Sequence, residues 1–116
     1  MGTKMKIAIS STGKNLTDSV SEVFARCPYF IITQIENGKI QNIEAIKNTV
    51  IDQTTGAGIS VAQKIAEKDV QAVISGNIGP RALSLLQQFN IEVYNGNGKV
   101  VDVLQKFISN KLEKFQ

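Results

Sequence analysis

Histidine and tryptophan are absent from these 116 residues, cysteine occurs once and proline twice. Without histidine, the Ser–His and Cys–His pairs of nucleophilic catalysis cannot be assembled. A lone cysteine excludes an internal disulfide and suits a reducing cytosol, so a cytoplasmic location is expected. No run of ~18 apolar residues marks a membrane span, and the start of the chain lacks a signal-peptide apolar core. Acids are scarce where a sheet enzyme needs them. The first strand-like run ends in Ser10, and Asp18, Glu22, Asp52 and Glu92 form no evident pair, whereas two-metal hydrolysis needs clustered carboxylates. The chain reads as a non-enzyme.

What is present describes one ordinary globular unit. Hydrophobic residues make up 42% and charged residues 20%, which argues against wholesale disorder. The net charge of +3 is carried by scattered lysines (Lys39, Lys47, Lys64, Lys68, Lys99, Lys106, Lys111, Lys114). Nucleic-acid binding usually shows a clustered basic patch instead, so no nucleic-acid partner is expected. Residues 5–116 are read as a single domain. Met1–Lys4 is read as a tag remnant or alternative start.

Periodicity orders the elements as β-α-β-β-α-β-α-β-α. Lys6 to Ser10 is β-rich. Ser19-Val20-Ser21-Glu22 matches a capping box, predicting a short helix through Val20, Val23 and Phe24 that stops before Pro28. Tyr29–Ile35 and Ile40–Lys47 flank Asn37-Gly38, a strong hairpin signal. A helix over about Gly58 to Lys68, a strand over Val70–Ser75, a helix around Ala82–Phe89 and a strand over Ile91–Tyr94 follow. Val101, Leu104, Ile108, Leu112 and Phe115 predict one last long helix. Two βα repeats with right-handed crossovers and one hairpin predict an α/β domain of three layers. Its mixed five-stranded sheet would have one antiparallel strand and helices on both faces, a ribonuclease-H-like topology.

In such sheets ligands bind beyond the carboxyl ends of the parallel strands. Segments at that edge would be Ser10-Ser11-Thr12-Gly13, Arg26-Cys27-Pro28, Thr54–Gly58, Gly76–Pro80 and Asn95–Gly98. Turn geometry alone explains any single glycine among them. Their convergence points to a site, with Ser10, Ser11, Gly13, Arg26, Thr55, Gly56, Gly58, Gly76, Asn77, Gly79 and Arg81 as candidate binding residues. Free N–H groups at helix starts, helix dipoles and Arg81 favour an anionic or hydrogen-bond-accepting ligand. Cys27 is either a small buried residue or a candidate ligand. Its place between Arg26 and Pro28 at a sheet edge favours exposure, and the arginine favours thiolate.

Several segments together resemble the dinitrogenase iron–molybdenum cofactor biosynthesis family, the NifX/NifB-type domain. They are Met5-Lys6-Ile7-Ala8-Ile9, Val20 to Phe30 with its Ser-Glu-Val-Phe-Ala-Arg-Cys-Pro-Tyr-Phe run, Gly56-Ala57-Gly58, Val73 to Ala82, and Ile91-Glu92-Val93-Tyr94. The resemblance implies a ribonuclease-H-like fold and a non-enzymatic accessory or carrier role. It implies an iron–sulfur or iron–molybdenum cofactor precursor as cargo, cofactor-assembly proteins as partners, and Cys27 as a candidate metal ligand. One departure stands out: relatives often carry histidine before the glycine pair, where this chain reads Asp52-Gln53-Thr54-Thr55. Iron–sulfur clusters normally take about four thiolates, so one cysteine favours transient holding. Two other readings remain open: a binding module for a phosphate-containing metabolite at the Gly76–Arg81 turn, and a protein-interaction module without a small ligand. A monomer or weak dimer that does not enter membranes is expected.

Overall fold

Strand β1 (Lys4–Ser11) runs through the middle of the molecule. In the computed structural model, which describes residues 4–50 and 55–115, Ile7, Ala8 and Ile9 are wholly inaccessible. A strand buried on both faces needs apolar residues at consecutive positions rather than alternate ones. Ile7 and Ile9 face one apolar cluster and Ala8 the other, as the two-residue period of a strand requires.

β2 (Tyr29–Glu36) pairs antiparallel with β1, and β3 (Lys39–Lys47) antiparallel with β2. Asn37 and Gly38 both take positive φ, 54° and 76°, which is the type I′ geometry that Asn-Gly favours. Helix α1 (Ala57–Ala66) then leads to β4 (Ala72–Ser75), which pairs parallel with β1. Helix α2 (Pro80–Gln88) leads to β5 (Glu92–Asn95), parallel with β4. Helix α3 (Val100–Ile108) closes the second repeat. Among the described residues, α1 and α2 cover one face of the sheet through Val61, Ala62, Ile65, Ala82 and Leu86. α3 covers the other with Val100, Val103 and Leu104, all at 0% exposure. Each such side chain contributes roughly 1.5–3 kcal/mol by leaving water.

The edge strand β3 holds a bulge. Asn42 and Ile43 together stand opposite Thr33, between the Gln34–Gln41 and Ile32–Glu44 pairs. Asn42 takes φ 53°, and the Thr33 hydroxyl donates to the Gln41 carbonyl at 2.7 Å. Ile40 and Ile46 are an even number of residues apart, yet they pack against opposite clusters. The extra residue switches the face. It also twists the exposed edge, which discourages pairing with another chain.

Two sequence expectations are corrected. The Ser19–Glu22 segment forms no capped helix; only a single 3-10 turn, Phe24–Arg26, follows it. Instead the Ser21 N–H donates to Ser10 and the Val20 N–H to Gly98, at 2.9 and 2.8 Å, so the segment runs extended. Long-range partners for the backbone outcompete the local capping option. Likewise the last helix ends at Ile108 although Leu112 and Phe115 continue its periodicity. Asn110 (φ 60°) donates to Phe107 and Lys111 to Lys106, a Schellman termination with asparagine as the left-handed residue. The chain then forms β6 (Glu113–Lys114), antiparallel to β5.

The sheet among the described residues therefore has six strands, in the order β3-β2-β1-β4-β5-β6, rather than five. Two strands, β2 and β6, oppose the rest. β6 covers the edge of β5, where Lys114 pairs with the Glu92 carboxylate and lies over the Tyr94 ring. No helix among the described residues is long and apolar enough to cross a membrane.

Candidate functional site

The register brings the expected loops to one edge. Ser11 pairs with Tyr29 and Tyr29 with Lys47, so the ends of β1 and β3 and the start of β2 are side by side. Ser75 pairs with Asn95 at the ends of β4 and β5. This rim divides into a closed half and an open half.

The closed half is sealed by the chain after β1. Val100 N–H donates to the Asp18 carbonyl at 2.8 Å and Val101 N–H to Leu16 at 2.9 Å. The N-terminus of α3 is thereby satisfied by backbone rather than offered to a ligand. The Asp18 carboxylate accepts from Asn15 N–H and fills the space where a Gly13 side chain would stand. Ser10 and Ser75 are inaccessible and share a hydrogen bond of 2.9 Å, while the Ser11 hydroxyl donates to the Gly13 carbonyl at 2.7 Å. Gly76 is buried against the Glu22 backbone, its N–H donating to Ser21. Ser10, Ser11, Gly13 and Gly76 thus stand at the rim but do not line its open half.

The open half is a cleft of about 590 Å³ between the 3-10 turn and the first turns of α1 and α2. Of the expected site residues, Gly56, Gly58, Asn77, Gly79 and Arg81 line it. Gly56, at φ 69°, and Gly79 are the N-caps of α1 and α2, and neither helix has a side-chain cap. The first intrahelical donors are Ser60, to Gly56, and Leu83, to Gly79. The N–H groups of Ala57, Gly58 and Ile59, and of Arg81 and Ala82, precede them. Pro80 is the first residue of α2, where its missing N–H costs nothing. Both helix dipoles therefore turn their positive ends to one cleft, and Arg81 in the first turn of α2 adds a full charge.

Arg26 and Thr55 are exposed, and each already makes a contact of its own. Thr54 and the Asp52–Gln53 stretch before it lie outside the described residues. Sequence reasoning missed the apolar walls, supplied by Val23, Phe24, Ile59 and Ile78. Val23 is 47% exposed, an uncommon state for valine that only the tertiary structure reveals.

Cys27 is not the exposed thiol that its neighbours suggested. It is inaccessible, packs with Phe24 and Phe30, and donates to the Phe24 carbonyl at 3.3 Å. Burial pushes the thiol up to about 12, against smaller lowering by backbone hydrogen bonds. It lies behind the turn that walls the cleft. Asn48, another residue that the sequence did not single out, pins that turn: its amide donates to Ala25 and Cys27 at 3.0 and 2.8 Å.

Chemically the cleft is largely apolar, with its positive charge at the two helix starts and Arg81. Among the described residues its lining contains no carboxylate, thiol or imidazole. Among the described residues no group of three or more His, Cys, Asp or Glu side chains could hold a metal ion. The arrangement suits an anion recognised by N–H groups and by one guanidinium, with soft or apolar surface against its walls.

Residues 5–110 match the profile of the dinitrogenase iron–molybdenum cofactor family. An uncharacterized protein of Methanocaldococcus jannaschii is 42% identical over 113 residues, 97% of this chain and 92% of that protein. A candidate NifB protein from Thermotoga, solved by NMR, superposes with a TM-score of 0.78 at 33% identity, covering 95% of this chain and 92% of that one. The apo form of the orange protein from Desulfovibrio gigas superposes with a TM-score of 0.86, covering 96% and 92%; at 24% identity the likeness is one of fold.

Proposed function

The chain belongs to the dinitrogenase iron–molybdenum cofactor family, and from that premise we propose that it is a non-enzymatic accessory protein that transiently holds an anionic metal–sulfur cofactor precursor in the cleft. The observation that carries this reading is the pair of N-termini without side-chain caps, at Gly56 and Gly79, opening on the same space as Arg81. An anionic cluster with a polarisable sulfide surface matches both the N–H groups and the apolar walls. Cys27 lies behind the wall, so holding rests on hydrogen bonds and charge, with thiolate ligation reserved for a state in which the 24–26 turn opens. Cofactor-assembly proteins would supply and receive the cargo. The order β3-β2-β1-β4-β5, with β2 alone reversed among those five, supports a ribonuclease-H-like arrangement extended by β6.

Anaerobic titration with a reconstituted iron–sulfur cluster, followed by absorption, tests the proposal. Wild type and Cys27→Ala should both bind, and Arg81→Ala should bind more weakly. Absence of binding by wild type would sink it. A phosphate-containing metabolite is the second reading, favoured by the same N-termini at Gly79 and Arg81. It requires phosphate to raise the melting temperature of wild type and Cys27→Ala but not of Arg81→Ala.

A further inference from the structure

Beyond α1, on the flank of the sheet next to β3, lies a second cavity of about 310 Å³. Among the described residues it shares no lining with the cleft. Its floor is apolar, formed by Phe30, Ile46, Val61 and Ile65. Its border is cationic: Lys47 at the end of β3, Lys64 in the last turn of α1 and Lys68 in the turn after it stand with one carboxylate, Glu67, among the described residues.

None of the three lysines is ion-paired among the described residues. Lys64 donates to the Thr49 hydroxyl at 2.5 Å. Lys64 lies in the last turn of α1 and Lys68 in the turn that follows it, both on the border of this cavity, and like charges so placed repel each other. Water over an apolar floor and unneutralised neighbouring cations are both relieved by one kind of ligand, apolar at one end and anionic at the other. A phosphate would leave the floor wetted, and a neutral hydrocarbon would leave the ammonium groups unpaired.

We propose that this cavity binds a small amphipathic carboxylic acid, with its chain or ring on Phe30, Ile46, Val61 and Ile65 and its carboxylate among Lys47, Lys64 and Lys68. Ligand pockets commonly measure ~300–1,000 Å³, so this cavity fits one short aliphatic chain or one aromatic ring. The site is independent of the cofactor cleft.

Octanoate is the probe, titrated into the full chain and followed by methyl NMR shifts and calorimetry. Saturable binding is expected, with shifts on the Ile46, Val61 and Ile65 methyls. Acetate lacks the chain and octanol the charge, and each should bind at least about tenfold more weakly. The Lys47→Gln, Lys64→Gln, Lys68→Gln triple variant should lose at least about tenfold in octanoate affinity with an unchanged unfolding midpoint. Arg81→Ala should bind octanoate as wild type does, which separates this site from the cofactor cleft. Unsaturable binding, shifts confined to Ile59 and Ile78, octanol binding equal to octanoate, or an unaffected triple variant would each overturn the proposal.

Discussion

A Cβ placed on Gly58 would stand 3.3 Å from the Cβ of Ala82, so the first turns of α1 and α2 meet through these two residues. That contact holds the two helix N-termini over one cleft. Gly58→Val would push the helices apart. Leaving glycine in a helix gains a few tenths of a kcal/mol, but overpacking at a tight contact costs about 1–3 kcal/mol. Net destabilisation is expected in urea unfolding, together with weaker cluster binding. An unchanged midpoint would mean that the helix pair yields freely at this point.

Gly76 and Gly79 look alike in sequence and differ in structure. A Cβ on Gly76 would lie 2.6 Å from the Glu22 Cα, a backbone atom that cannot turn aside, whereas one on Gly79 meets nothing within 4 Å. Gly76→Ala should therefore cost about 3 kcal/mol or more. Gly79→Ala, at an ordinary extended cap, should cost about 1 kcal/mol or less. Parallel urea titrations of the two variants check the contrast. Equal losses would contradict the close approach of the Ser21–Glu22 backbone to Gly76.

The sheet was legible because its signals are local. Asn37-Gly38 states its own hairpin, and the apolar run at Ile7–Ile9 states a buried strand. The convergence of loops at one rim followed from strand direction alone. Ser19–Glu22 misled because its capping pattern is also local, while its real partners, Ser10 and Gly98, are distant in sequence. Leu112 and Phe115 misled in the same way: a helical period continues past the asparagine that ends the helix. The bulge at Asn42, the burial of Cys27 and the apolar walls of the cleft depend on packing between elements. No window of sequence contains them.

Cys27 makes stability depend on alkaline pH. Its thiol is raised from 9.0 to about 12 by burial, so the folded state holds the proton more tightly than the unfolded state does. The contribution is complete below pH 9.0 and is lost as pH rises through about 12. Urea unfolding from about pH 8 to about pH 11 should show a loss in wild type that is shallower in Cys27→Ala. In the native protein at neutral pH, a disulfide reagent should react with the thiol at least about a hundredfold more slowly than in the unfolded chain. Native reactivity near the unfolded rate would mean that the 24–26 turn opens readily, which would restore the thiol as a ligand.

Asn48 tests whether that turn is held from below. The side chain is only 5% exposed and uses both ends of its amide: Nδ2 donates to the Ala25 and Cys27 carbonyls, and Oδ1 accepts from Val50 N–H at 3.1 Å. Asn48→Ala leaves these backbone groups without their partner, and each unsatisfied buried group costs about 1–3 kcal/mol. Partial access of water reduces the sum, so a net loss of about 2–3 kcal/mol is expected in urea unfolding. The same variant should speed modification of Cys27 under native conditions by more than its global destabilisation accounts for, because the turn opens locally. A rate that follows global stability alone would assign Asn48 to the general fold and not to the gate behind the cleft. Asn48→Asp separates hydrogen bonding from size: it keeps the acceptor for Val50 but faces two carbonyls with a carboxylate. It should therefore open the turn at neutral pH, and protonation of the acid should restore the closed state.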